Sequence, residues 1–405
     1  MNIPFSPPYI DDDVIAEVTD ALRSGWITTG PKVLQLENEV AAYCGSEKAL
    51  AVNSATSAMM LVLHWFGVTR GDEVIVPAYT YCATALAVMH IGAKPVMVDV
   101  SPDFTIDPEK IRQAISSKTK AVIAVDIGGW PCNYAEINNV IHEAAEKFVP
   151  SNDKQRSLGR LLLMADAAHS FGAVYNNTIT GTLADMTVFS FHAVKNITTA
   201  EGGIICLNMP LPFDNKEIHK TLRLWSLNGQ TKDAFTKSKA GGWKYDIVYP
   251  GFKMNMPDVL AAIGLAQMRK YNSFLLNERR RVFDEYTNVF SAQPWALIPL
   301  FENQRCSSSY HLYALRINGI TEVQRDDIIE QITAKGVAVN VHFIPMPLLT
   351  VFKNAGYNIE DYPQAYSLYA SEISLPVYPQ LSNTQCAIVT RAVIEAVNTV
   401  IINEG

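Results

Sequence analysis

The residues best suited to covalent chemistry lie in Phe189-Ser190-Phe191-His192-Ala193-Val194-Lys195-Asn196, where a single lysine follows an apolar run. A lysine amine that is desolvated, or held beside another cation, gives up its proton readily and forms a Schiff base with an aldehyde. Asp166 closes a second apolar run, Leu161 to Ala165, and leads into Ala167-Ala168-His169. At the C-terminal end of a buried strand, where open α/β sheets bind ligands, such a carboxylate needs a cation or hydrogen-bond donors. A third segment, Ala51 to Ala58, is small and hydroxylic and runs into Met59, Val62, Leu63 and Phe66 at helical spacing. Free N–H groups at such a helix start, helped by the hydroxyls of Thr56 and Ser57, can hold a phosphate. Taken singly, each feature also fits a solvated loop lysine or an ordinary helix cap. Taken together they meet the needs of pyridoxal 5'-phosphate: an anion site, a carboxylate to keep the ring nitrogen protonated, and an amine for its aldehyde carbon.

The elements that must position these groups are short apolar, β-branched runs: Glu73 to Pro77, Pro95 to Asp99, Ala121 to Asp126, Leu161 to Asp166, Thr187 to Phe191 and Gly203 to Leu207. Runs without polar alternation predict strands buried on both faces of a mainly parallel sheet. Helical spacing between them, at Pro108 to Ser116 and Tyr134 to Phe148, completes a βαβ rhythm and an α/β fold class. Polar stretches at Ser151 to Gly159 and Gln230 to Lys244 read as surface loops. After Pro257 a long helical pattern leads to the basic Arg279-Arg280-Arg281 and on towards Phe290, bridging to a smaller α+β region. There, strands at His311 to Ile317 and Val337 to Phe343 alternate with helices at Glu322 to Ala334 and Thr384 to Ile402. The expected division is a large domain over 1–255, with the bridging helix and small C-terminal domain over 256–405.

Composition narrows the functional classes. The 405 residues are 48% hydrophobic and 18% charged, with a formal net charge of -7 and no basic run beyond Arg279 to Arg281. A nucleic-acid backbone footprint is therefore not expected. Six scattered cysteines without a CxxC pair indicate neither a zinc site nor a disulfide framework, which fits a cytoplasmic protein. Ala49 to Thr69 and Val74 to Ala93 are long uncharged stretches, but the first holds polar residues and the second is split by Pro77 and Gly92, so no membrane span is expected.

The lysine segment, through Ile197-Thr198-Thr199-Ala200-Glu201-Gly202-Gly203, resembles the DegT/DnrJ/StrS family of sugar aminotransferases, fold-type I pyridoxal-phosphate enzymes. Ser24 to Pro31, Gly71 to Ile75, Asp166 to His169, Pro250 to Asp258 and Leu375 to Pro379 carry the likeness along nearly the whole chain, most strongly to the branch forming UDP-4-amino-4-deoxy-L-arabinose. The resemblance implies that Lys195 holds the cofactor as an internal aldimine and moves the proton during transamination through pyridoxamine phosphate. Asp166 would pair with the pyridinium nitrogen, and His169 would lie near the ring hydroxyl. Ala55, Thr56 and Ser190 would contact the phosphate, and Tyr81 would stack on the ring. Asn228 and Lys253 would reach the phosphate of a partner subunit, and Thr28, Gly30, His311 and His342 would face the sugar. It further implies a homodimer with shared sites, L-glutamate and 2-oxoglutarate as the donor pair, and a nucleotide-linked keto-sugar as acceptor for cell-surface polysaccharide or lipid A sugars. The alternatives are a sugar dehydratase of the same fold or a non-catalytic regulatory relative. The chain departs from the common family pattern at Asp126, Asn228 and Pro347, where histidine is frequent.

Overall fold

A computed structural model describes residues 2–232 and 243–402, so most of the loop expected at Gln230 to Lys244 lies outside the described residues. Strands form where the six apolar runs were read, as β2 (Glu73–Pro77), β3 (Lys94–Val98), β4 (Thr119–Val125), β5 (Leu162–Asp166), β8 (Met186–Ser190) and β9 (Gly203–Leu207), and one more, β1 (Lys48–Val52), precedes them, with the two-residue β6 (Val174–Tyr175) and β7 (Thr178–Ile179) between β5 and β8. The seven long strands make one sheet in the order β1-β9-β8-β5-β4-β2-β3. Pairing is parallel from β8 to β3, while β9 runs antiparallel to both its neighbours. Every residue of β4, β5 and β9 is buried, as strands covered on both faces require.

That topology gathers the chemistry on one edge. Because β1 and β8 are each antiparallel to β9, the C-terminal ends of β1, β2, β4, β5 and β8 all point the same way. Strand β1 is absent from the expected set because Ala49-Leu50-Ala51-Val52 is short, alanine-rich and runs almost directly into a helix.

Two other local expectations differ. Ser151 to Gly159 contains a helix, Asp153–Leu158, started by Asn152, whose side chain accepts from Gln155 N–H, and closed by Gly159 at φ 69°. Its polarity disguised the turn, because only Gln155 is buried there. Val337 to Phe343 is no strand: its main chain divides its hydrogen bonds, with Val337 bridging to Ile3 and Asn340 to Ser374. The long pattern after Pro257 is three pieces, Asp258–Met268, a π turn at Tyr271–Leu275, and Leu276–Phe290.

A second sheet joins β10 (Ala296–Leu297), β12 (Tyr313–Ile317) and β13 (Glu372–Leu375), and β11 (Cys306–Ser307) pairs with β6. Tyr313, Leu315 and Ile317 face an apolar cluster with Ile328, Ile332, Val389 and Val393 from the Glu322–Ala334 and Asn383–Ile402 helices. The chain crosses between bodies: Ile3 packs into this cluster, whereas Met346, Phe352 and Leu368 pack into the core of the large sheet. Among the described residues no helix is long and apolar enough to cross a membrane.

Candidate active site

At the end of β1 the chain turns into the Ala55–Phe66 helix. Ser54 caps it by accepting from Ser57 N–H at 3.1 Å, and its carbonyl takes the first helical bond from Ala58 N–H. Among the described residues the N–H groups of Ala55 and Thr56 have no acceptor in the protein, and they face a cavity of about 460 Å³. Gly203, at the start of β9, passes so close that an added Cβ would sit 2.5 Å from Ala55 N. These are the donors and the close backbone approach that a phosphate needs at a helix N-terminus. Ser190, ending β8, lines the same cavity.

Asp166 closes β5 on the cavity floor and is 5% exposed. Its carboxylate accepts from Thr84 Oγ1 at 2.7 Å and from Ala168 N–H at 3.3 Å. Burial raises its pKa, and Thr84, Ala168 and the charge of Lys195 oppose that rise. A carboxylate with an offsetting cation and two donors stays available to hold a positive ring nitrogen. Lys195 stands across the same space, and among the described residues no ion pair fixes its amine. Burial pushes it down to about 8 despite the attraction of Asp166, so about a tenth is the nucleophilic free base at pH 7, far more than for an ordinary lysine. The loop that carries it is pinned on both sides. Asn196 Nδ2 donates to Ser309 O at 2.6 Å, and buried Gln267 accepts from Thr198 N–H at 2.9 Å.

The opposite wall is aromatic. His169 accepts from Gly128 N–H at Nδ1, 3.1 Å away, which places its own hydrogen on Nε2. Its ring lies 4.4 Å from that of His311 and 5.8 Å from Phe343. His311 is held through Nδ1 by Asn196 Oδ1 at 2.8 Å. Burial, with Lys195 nearby, drives the pKa of both histidines well below the usual imidazole range, so both are neutral. His342 lies on the same wall, its Nδ1 bonded to Ser374 Oγ at 2.9 Å and its ring stacked on Phe5.

Ala55, Thr56, Tyr81, Asp166, His169, Ser190, Lys195, His311 and His342 thus surround one cavity. Tyr81 is 59% exposed and touches Phe343, with its ring turned to the open space. Asn228 and Lys253 are exposed neighbours on two paired segments and do not line the cavity. Thr28 and Gly30 do not line it either. Their main chain docks on Asp258, whose carboxylate accepts from Gly30, Lys32 and Val33 N–H and so starts the Pro31–Cys44 helix. Thr84, Gln267, Asn196 and Ser374 were not singled out in the sequence. Only Thr84 carried a signal, three residues after Tyr81 at the opening of a helix. Asp126, at the end of β4, is structural: it is buried and accepts from Ser170, Tyr134 and Cys132.

A mainly parallel sheet with its anion cradle, carboxylate and lysine on one edge is the pyridoxal-phosphate-dependent aminotransferase fold. The chain belongs to the DegT/DnrJ/EryC1/StrS aminotransferase family, whose pattern matches residues 8–394. It is 35% identical over 399 residues to the spore coat polysaccharide biosynthesis protein SpsC of Bacillus subtilis, covering 96% of each chain. It is 40% identical to Spr1654 of Streptococcus pneumoniae, a provisionally assigned sugar aminotransferase. The PMP form of that protein superposes with a TM-score of 0.95 over 100% of both chains, and the PLP form with 0.94 over 99% of this chain and 100% of the other. PseC of Helicobacter pylori, an aminotransferase in pseudoaminic acid biosynthesis, is 25% identical with a TM-score of 0.87, covering 98% of this chain and 100% of its own.

Proposed function

We propose that the protein moves an amino group from L-glutamate to a nucleotide-linked keto-sugar, foremost a UDP-4-keto sugar, in the making of a surface polysaccharide. Pyridoxal 5'-phosphate is the cofactor, and the residues present fit it: two unpartnered N–H groups at a helix start, a buried carboxylate and a lysine of lowered pKa face one space. Bound there, it supplies an aldehyde carbon for amines and a ring that accepts electrons. Asp166 keeps the ring nitrogen charged, and the Ala55 and Thr56 N–H groups with Ser190 hold the phosphate. Lys195 Nζ would anchor the group and, once freed by the donor amine, would carry the proton from the donor carbon to the cofactor's aldehyde carbon, and in the second half-reaction from that carbon to the sugar carbon. His169 Nε2–H is free to donate to an oxygen on the ring. In this reading 1–255 and 256–405 act as two domains of a homodimer, and the partner's exposed pair corresponding to Asn228 and Lys253 completes the phosphate site.

The observation that carries the substrate class is a second cavity of about 420 Å³ that shares Leu312 and His342 with the first. Phe104, Trp130 and Leu300 line it, together with Arg316, whose guanidinium lies 5.7 Å from the centre of the Phe104 ring. Among the described residues no carboxylate pairs with that guanidinium. Asp103 also lines this mostly apolar enclosure, with its carboxylate taken up by Thr105, and the guanidinium that no carboxylate pairs, next to the cavity of the reacting amine, suits an extended anion such as a nucleotide-linked sugar. The names of the relatives, a spore coat polysaccharide biosynthesis protein and an aminotransferase of pseudoaminic acid biosynthesis, support the same reading. The test follows absorbance. Glutamate should shift the long-wavelength band of the loaded protein, and UDP- or dTDP-linked 3- and 4-keto sugars are then screened for one that restores it. Failure of every keto-sugar, with glutamate active, would reject the acceptor class.

A further inference from the structure

His342 reaches the cavity with its main chain held on both sides. Its N–H donates to Glu372 Oε2 at 3.0 Å, and its carbonyl accepts from the Tyr79 hydroxyl at 2.8 Å. Its ring nitrogen Nδ1 meets Ser374 Oγ at 2.9 Å, and Ser374 Oγ lies 2.5 Å from Glu372 Oε1. Glu372 and Ser374 are adjacent same-face positions of β13 and are both fully buried. The three groups therefore form an isolated chain from a buried carboxyl to the cavity wall, and neither residue enters the mechanism above.

A serine hydroxyl has one hydrogen, so the chain can be ordered in only a few ways. With the carboxylate ionised, Ser374 donates to Glu372 and His342 must give its Nδ1 hydrogen to Ser374, which leaves Nε2 bare. One more proton on the chain, whether it rests on the carboxyl or on the imidazole, puts a hydrogen on Nε2. We propose that Glu372 and Ser374 are positioning residues that set, through His342, whether this wall offers the substrate a hydrogen-bond donor or an acceptor. The donor form matches the oxygen of a keto or hydroxyl group. Only that last step, the identity of the group met, rests on the sugar reading above.

The surroundings supply charges that bias the chain without joining it. Arg325, from the Glu322–Ala334 helix, donates to the carbonyl oxygens of Tyr369 and Glu372 and to the Asp326 carboxylate. Arg316 stands opposite Glu372 in the β12–β13 register with its guanidinium turned to Phe104. Tyr79 faces Glu372, while Lys195 acts on His342 from the cavity and neutral His169 and His311 lie beyond it. Burial pushes Glu372 up to about 8 and His342 down to about 4, so the added proton leaves the chain near pH 8 and rests mainly on the carboxyl below it.

The test reads the imidazole directly. Holoenzyme with ¹⁵N-labelled histidine is titrated by NMR from neutral to alkaline pH, and His342 is assigned by the signals lost in His342→Gln. In the wild type the hydrogen should leave Nε2 for Nδ1 with a midpoint near that of Glu372. Glu372→Gln, whose amide donates to Ser374 permanently, should hold the hydrogen on Nε2 throughout, and Ser374→Ala should abolish the exchange. A wild-type His342 that keeps one tautomer, or a Gln variant that still switches, overturns the proposal. In steady-state assays KM for the keto-sugar should rise as pH passes the same midpoint and lose that rise in Glu372→Gln, with the glutamate half-reaction unmoved. An NMR switch without keto-sugar turnover would instead strike the substrate reading alone.

Discussion

The cavity wall that carries Lys195 and the wall that carries His342 are built by different means. The first consists of strand ends and a helix start within one sheet: Asp166 ends β5, Ser190 ends β8, and the phosphate cradle is main chain at Ala55 and Thr56. The second is assembled from His169 after β5, His311 before β12, and His342 on a connecting segment, each oriented by a side-chain or loop partner far along the chain. Backbone donors and a buried carboxylate suit a ligand that never changes. Rings fixed by replaceable partners suit a substrate that differs between relatives.

Substitutions on the first wall should therefore remove chemistry outright. Lys195→Ala should fold and retain cofactor by dialysis, yet lose at least about 10³-fold in both half-reactions, since acid–base assistance of that order goes with the amine. Retention of either half-reaction would break the distinction between the walls. Asp166→Asn should weaken cofactor binding by about 10- to 100-fold, the worth of one hydrogen bond to a charged group, as read by equilibrium dialysis. In the cavity beyond the second wall, Arg316→Ala should raise KM for the nucleotide-linked sugar about 10-fold while leaving the glutamate half-reaction intact, because one half-buried cation contributes roughly that much.

Acidity separates the walls more finely. In cofactor-free protein the capture rate of pyridoxal phosphate should climb through about pH 8 and level off, following the free base of Lys195. The sign for stability follows from the same shift. Below about 8 the buried amine is charged in folded and unfolded chains alike. Between about 8 and its ordinary value of 10.5 the unfolded chain holds more protons, so stability relative to Lys195→Met should rise with pH across that window. A capture rate still climbing well above pH 8 would mean that Lys195 is not desolvated. The smallest effect is expected from Ser54→Ala, which removes a cap worth about 1 kcal/mol and should lower the melting temperature modestly while leaving both half-reactions measurable.

The first wall was legible because each part sits in a contiguous string with its own local pattern. An apolar run ending in Asp166, another ending just before Lys195, and hydroxylic residues opening a helix are visible without tertiary knowledge. β1 was not, since four small apolar residues carry no period that tells strand from helix. Thr28 and Gly30 stood in a matching string, and within this chain their main chain docks on Asp258 and does not line the cavity. Thr84, Gln267, Ser374 and Glu372 escaped because a hydrogen-bond partner over 30 to 80 residues away leaves no periodic trace. The strand expected over Val337 to Phe343 failed for a related reason: its apolar residues are real, but its backbone partners belong to two different segments.

The central claim is that Lys195, and no other lysine, is the covalent seat of the cofactor. Borohydride reduction of the holoenzyme followed by proteolysis and mass spectrometry tests it most directly. The reduced cofactor should be found on the peptide containing Lys195 and be absent from the Lys195→Ala protein. A tag on another lysine, or none on a protein that still transaminates, would contradict the account.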